Sequence, residues 1–299
     1  MKHFTTIKIL LGLLVCSADS VHAARLKVIT AYPYIASITK EIAGNDLEIQ
    51  SLANGKWDPH FIVPRPSYIA RLRSADLLII NGGDLEVGWI PPLVTQAGNT
   101  KLNGDGTLDL SRFVQLQEPV QDISRKLGDI HPAGNPHFHL DPDNVVLIAQ
   151  AVKNRLTKLD PDHAADYDNR TKVFLQKWKE HTAVWEKSLA TLKGSSLIQY
   201  HNLFHYFLRR FQIQSAGTIE RLPGIPPTAD HIESLGKIIH DSKITKILQD
   251  VYHPDDAAKH IAAKHKIELV YLPHDVDSMP GTEDIFALFN TIVKRLVHD

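Results

Sequence analysis

Cysteine is nearly missing from this chain: among 299 residues, Cys16 carries the only thiol. It lies in a leader-like stretch. Lys2 and Lys8 supply positive charge there, Ile7 to Val15 a short apolar run, and Val21-His22-Ala23 a small-residue cleavage site. Residues 1–23 are therefore read as a signal peptide, with the mature chain starting near Ala24. Cys16 suggests a lipid attachment site, but Val15 before it fits poorly where such sites prefer a small residue, so plain cleavage is the reading. The mature chain then has no cysteine, which excludes disulfides and thiolate metal sites. Long apolar runs are also missing. Ile7 to Val15 is too short to span a bilayer, and no later segment is long and apolar enough. Charge of one sign is not in excess: the net charge is −1, which argues against a nucleic-acid surface. Neither HExxH nor GxSxG occurs, so the common hydrolase motifs are absent.

What is there is ordinary except in one respect. Apolar residues make up 43% and charged residues 22%, as in a soluble globular protein. Histidine, at 17 residues, is abundant, and it is the commonest metal ligand.

Short apolar runs alternate with helical patterns. Residues 25–30, 48–52 and 77–81 read as strands, with helices over 33–43 and 65–74 between them. This order predicts a parallel sheet with helices on both faces. In GNPHFHLDPDN (134–144), Asp141 reads as an N-cap and Pro142 as the first helical residue of an amphipathic helix over 143–158. From about Asp162 to Leu192 no glycine or proline interrupts a helical pattern. Tyr167, Phe174, Trp178, Trp185, Leu189 and Leu192 fall at spacings of seven, four and three along it. At ~1.5 Å per residue such a helix is roughly 45 Å long, a spine joining two lobes; a kinked pair of helices is the alternative. After Lys193-Gly194 the alternation restarts, with strands over 196–200, 212–217, 244–248 and 267–272 and helices over 202–211, 230–242, 254–264 and 283–297. The fold class is thus α/β: two lobes, each with a mostly parallel sheet flanked by helices, joined by one long rigid linker helix. The expected divisions are 24–160, 161–193 and 194–299.

In open α/β sheets, ligands collect beyond the carboxyl ends of the strands. The polar residues there are His60, in WDPH; His137, before the 143–158 helix; His201, directly after SLIQY; and Asp275 with Asp277, in LPHDVD. Two of these places lie in each lobe, so a cleft between the lobes would gather them. Three neutral imidazoles and one carboxylate suit Zn²⁺, and four protein ligands leave no open position for an activated water. Each residue also has a plainer reading. His60 would cap the helix from Arg65. His139 would sit outside the ligand shell or on the surface. His201 and His205, four apart, would share one helix face. His131, His253 and His274 would face solvent, Trp57 and Tyr200 would form cleft wall or core, and Asp109, Asp160 and Asp162 would serve caps and turns.

Four segments together resemble the metal-binding extracytoplasmic proteins of ATP-binding-cassette importers, the zinc and manganese group. They are DPHFIVPRPSYIARLRSADLLIINGGDLE (58–86), GNPHFHLDP (134–142), YHNLFHYFLRRFQI (200–213) and VYLPHDVDSMPGTEDIFALFNTIVKRL (270–296). The resemblance spans nearly the whole mature chain. It implies a periplasmic protein, monomeric, that binds a divalent metal and delivers it to a membrane permease. It puts the ligands at His60, His137, His201 and Asp275, with Asp277 as alternate and with His131, His139 and His205 as alternates or neighbours outside the shell. His139 stands where the family often has Trp. His in the third position resembles the zinc branch, and Mn(II) favours harder, oxygen-rich shells, so Zn(II) is the expected metal and Mn(II) the lesser one. Two departures are visible. The segment from Gln115 to Ala133 holds only His131, so the His- and acid-rich loop that zinc members often carry is absent or reduced, and His205 replaces a residue that is usually small.

Coordination needs deprotonated imidazole, so the ordinary histidine pKa predicts loss of affinity as pH drops through about 6 to 6.5. The long helix predicts local loop changes on metal release in place of wide hinge closure. Two rival readings remain on sequence grounds. One is a two-lobed binder of a chelate such as a siderophore or cobalamin. The other is a zinc hydrolase with Asp275 or Asp277 as general base.

Overall fold

A computed structural model describes residues 25–119, 131–221 and 224–297. The leader reading, with Cys16, falls outside the described residues. The first sheet forms from β1 (Lys27–Thr30), β2 (Glu48–Ser51), β3 (Leu77–Ile80) and β4 (Thr107–Asp109), in the order β2-β1-β3-β4, with every pair parallel. Val28, Ile29 and Leu77 to Ile79 are buried because helices cover both faces of the two central strands. Those helices are α1 (Pro33–Ala43), α2 (Pro66–Arg73), α3 (Ile90–Ala97) and α4 (Pro142–Leu159). α4 begins as expected: Asp141 accepts the Asp143 N–H at 2.9 Å and Pro142 opens the first turn.

α5 (Ala164–Leu189) follows as one continuous helix with a single 3₁₀ turn at each end. Its 26 residues span about 39 Å at ~1.5 Å each. The buried face carries Tyr167, Thr171, Phe174, Trp178, Trp185 and Leu189. The spine is tied at both ends. Arg170 donates to the carbonyl of Ala43, the last residue of α1, at 2.7 Å, while the Trp185 indole donates to Asn290 at 2.8 Å, on the last helix.

The second sheet repeats the first. It contains β5 (Ser196–Gln199), β6 (Gln214–Thr218), β7 (Lys246–Gln249) and β8 (Glu268–Tyr271), in the order β6-β5-β7-β8, again all parallel. Its helices are α6 (His205–Arg210), α7 (Ala229–Asp241), α8 (Asp256–His265) and α9 (Ile285–Val297). In both sheets the chain reverses direction beside the first strand, the place where a crevice opens beyond the carboxyl ends.

The last helix crosses back to the first lobe. Phe286 and Phe289 of α9 pack edge-on against Trp178, with ring centroids 5.2 and 5.1 Å apart. The Ile285 N–H donates to Ser37 of α1 at 3.0 Å. α1 has no side-chain cap of its own; Asp275 accepts the Tyr34 N–H at 2.7 Å and supplies one from the far end of the chain. Among the described residues, no helix is long and apolar enough to cross a membrane.

Candidate metal centre

Three loops at the carboxyl ends of the strands bring three imidazoles together. His60 follows β2. Asp58 accepts both the His60 backbone N–H, at 2.9 Å, and its Nδ1–H, at 2.8 Å, which turns the buried and unpartnered Nε2 toward the crevice. The Tyr32 hydroxyl holds the same loop through the Pro59 carbonyl at 2.9 Å. His137 lies on the loop leading to α4, buried and anchored by its backbone N–H to Asn135 at 2.9 Å. Asn81, at the end of β3, donates to the Pro136 carbonyl at 3.1 Å and is itself held by the Tyr34 hydroxyl at 2.6 Å. His201 follows β5, and Gln199 fixes its loop by accepting the Phe204 N–H at 2.8 Å.

The ring centroids of His60, His137 and His201 are 5.1, 5.3 and 5.4 Å apart, and one nitrogen from each falls within 4.8 Å of the others. His137 Nε2 and His201 Nε2 are 3.3 Å apart. Metal–nitrogen bonds of ~2.0–2.1 Å at tetrahedral angles place neighbouring donors about 3.3–3.4 Å apart. The two nitrogens therefore already lie along one edge of such a tetrahedron. Burial, reinforced by the neighbouring histidines, holds His137 well below the ordinary imidazole range. Burial also lowers His201, although Glu220 opposes it. Both shifts favour the neutral rings that coordination requires.

Glu220 lies behind His201, two residues beyond β6. Its Oε2 accepts from His201 Nδ1 at 2.6 Å, and its Oε1 accepts the Gly224 N–H at 2.8 Å. His253 Nε2 is 3.7 Å from Oε1, and its Nδ1 pairs with Asp250 at 2.8 Å. Burial would lower His253, but the bond to Asp250 and the charges of Asp250, Glu220 and Asp58 together outweigh it and raise the ring above its ordinary value. His201, Glu220 and His253 also converge within 4.8 Å, but as a support and not as a second metal seat. The 2.6 Å separation is too short for two ligands of one ion and right for a charge-assisted hydrogen bond.

The other expected site residues are placed elsewhere. Asp275 does not join the three-imidazole group. Its Oδ1 accepts the Tyr34 and Val276 N–H groups, and burial pushes its carboxyl well above the ordinary range. Asp277 donates its backbone N–H to Thr282 at 2.7 Å and does not join the group either. His139 is buried and stacked on Tyr34 at 4.2 Å, with Nε2 beside the His274 carbonyl. His205 opens α6 while His201 precedes it, so they do not share a helix face; His205 turns to Gln117 at 3.0 Å. His60 does not cap α2, whose N-cap residue is Arg65. Three histidines expected to face solvent do not. His274 is buried, His253 is half-buried in the Glu220 network, and His131 stands with its ring 5.3 Å from that of His60. Glu220 escaped the sequence reading, although looking just past β6 would have found it.

Two like α/β lobes, one spine helix and imidazoles converging from both lobes define a two-lobed binding protein with a metal-competent crevice. Residues 28–298 match the family model described as the zinc-uptake complex component A, periplasmic, and the chain belongs to this family. It is a substrate-binding component of a metal-transporting ATP-binding-cassette system, not an enzyme. A metal transporter substrate-binding lipoprotein of Streptococcus sanguinis is 26% identical over 258 residues, covering 85% of this chain and 80% of that protein. A manganese transporter substrate-binding lipoprotein of Streptococcus pneumoniae is 24% identical over 81% of this chain and 78% of its own length. A zinc-binding lipoprotein of Streptococcus pneumoniae is 20% identical over 84% of this chain and 50% of its own. Among solved structures, that of ZnuA superposes with a TM-score of 0.78 at 20% identity, covering 91% of this chain and 98% of that one.

Proposed function

We propose that this protein captures Zn(II) outside the cytoplasm with His60, His137 and His201 and delivers it to a membrane permease. One observation carries the reading: three buried imidazoles converge, with two Nε2 atoms at tetrahedral-edge distance. The choice of metal rests on the donor set. Relatives bear both manganese and zinc in their names, but the group here is all nitrogen, and Mn(II) favours oxygen. Charge is balanced one layer out. The carboxylates of Asp58 and Glu220, each bonded to the far nitrogen of a ligand histidine, offset a divalent cation without entering its shell. Parallel competition titrations of metal-stripped protein with Zn(II) and Mn(II) test this. One tight zinc per chain with much weaker manganese is expected; equal affinities would overturn the choice.

Glu220→Gln keeps the shape but removes the charge behind His201. Loss of such an outer partner costs roughly 10- to 100-fold in affinity. A fall of that size, with the thermal transition of the metal-free protein retained, is expected; unchanged affinity would mean that Glu220 does not support the ligand.

The pH dependence also differs from the simple sequence expectation. Burial lowers both His137 and His201, so protonation of these two rings competes with metal only below the ordinary range. Zinc affinity at pH 6 is expected to stay within about tenfold of its value at pH 7.5 and to fall steeply at lower pH. A steep loss already between pH 7 and 6, read by competition with a chelator, would contradict this.

A further inference from the structure

Three imidazoles leave one vertex of a tetrahedron open, and the structure contains a candidate for it. The vertex borders a cavity of 780 Å³ whose wall includes His131, His137 and His201. Asp275, the expected fourth ligand, has its Oδ1 tied to the start of α1 and does not join the three imidazoles. His131 is not committed. Both of its ring nitrogens are buried, and neither has a hydrogen-bond partner among the described residues. The backbone of Gly83 lies near the ring but outside bonding geometry. Buried imidazole nitrogens normally find partners, so two orphans on one ring need an explanation.

The position of the ring gives one. The His131–His60 centroid separation of 5.3 Å matches the separations inside the three-imidazole group, which run from 5.1 to 5.4 Å, although the His131 nitrogens lie outside the 4.8 Å group and the ring must turn inward to join it. His131 lines the same cavity as His137 and His201. Its backbone is held at the turn by its carbonyl, which accepts the Gly134 N–H at 3.0 Å.

We propose that His131 supplies the fourth ligand, so that zinc is held by four imidazoles and closed off from the cavity. This rests on the zinc-capture reading above and adds the identity of the last donor. A short His131-bearing segment thereby does the work expected of an acidic residue in the other lobe. The shell has no open position, in keeping with a protein that holds its ion without activating water.

The test uses the full-length mature protein loaded with Zn(II), and separately with Co(II) as an optical probe. X-ray absorption of the zinc form should show four imidazole nitrogens and no carboxylate oxygen. His131→Ala should lower zinc affinity by roughly a hundredfold, replace one nitrogen by a water oxygen, and alter the visible absorption of the cobalt form. Asp275→Asn, which retains an acceptor for the Tyr34 N–H, should leave affinity and nitrogen count unchanged. If His131→Ala binds like the parent while His137→Ala does not, the fourth-ligand assignment is overturned and zinc capture stands. Three nitrogens plus a carboxylate in the parent, lost in Asp275→Asn, would overturn it in favour of Asp275. If His137→Ala also binds like the parent, the capture site itself is wrong and His131 falls with it.

Discussion

Replacing His137 with alanine is expected to lower zinc affinity by roughly a hundred- to a thousandfold. A four-ligand zinc site is worth ~10–16 kcal/mol at neutral pH, so one ligand carries about 2.5–4 kcal/mol, or a factor of about 70 to 1,000. His137 is the most informative of the three imidazoles to remove. It is buried on the loop leading to α4, its Nε2 faces that of His201 at 3.3 Å, and its Nδ1 bonds to no protein group among the described residues. Its removal therefore deletes a metal donor without stranding a carboxylate, as loss of His60 or His201 would strand Asp58 or Glu220. Competition binding of the metal-stripped variant measures the effect, and circular dichroism checks the fold. Affinity within a few-fold of the parent would dismiss His137 as a ligand.

The second large effect is on stability. Trp178→Ala should destabilise the metal-free protein by about 3–5 kcal/mol, the usual cost of truncating a large buried aromatic. Trp178 is almost fully buried in α5, where it meets Phe174, Trp185, Phe286 and Phe289 at 5.7, 5.1, 5.2 and 5.1 Å. Its indole N–H donates to the Pro142 carbonyl at 2.9 Å, so the same residue joins the spine to the start of α4 and to α9. At about 2–4 °C per kcal/mol for a chain of this size class, the midpoint of thermal unfolding should fall by roughly 10 °C. A shift under about 2 °C would show that the spine does not carry this much of the fold. Zinc affinity of the folded fraction should change by no more than a few-fold, because the nearest bond from Trp178 is to Pro142, five residues past His137.

Much of the architecture was legible because buried parallel strands write themselves as continuous apolar runs. LLII at 77–80 and the long uninterrupted pattern of α5 are examples. β4 was missed for the converse reason: it is three residues long, lies at a sheet edge and contributes a single buried leucine. Position after a strand was enough to single out His60, His137 and His201, which the fold brings within 4.8 Å of one another. The bond of Asp275 to the start of α1 was not legible, because a carboxylate that coordinates and one that caps a helix look alike until the helix is in place. The same limit hid the Asp250–His253–Glu220 network, whose members come from the ends of two different strands and meet only in the folded lobe.

The cap that Asp275 places on α1, and the bond from Ile285 to Ser37 beside it, join residues separated by 241 and 248 positions. This sets an order of assembly. A chain that is made and moved from its amino end presents α1 first, with its leading turn uncapped and with the aromatic bed of α5 still lacking Phe286 and Phe289. Local helices form early, but contacts of such long range come late, after the slow closure of the whole chain. The first lobe is thus finished by the last segment to emerge. The metal crevice, stitched between the lobes by the bond from Asn135 to the Asn202 carbonyl at 2.8 Å, comes to completion together with the chain and not before it.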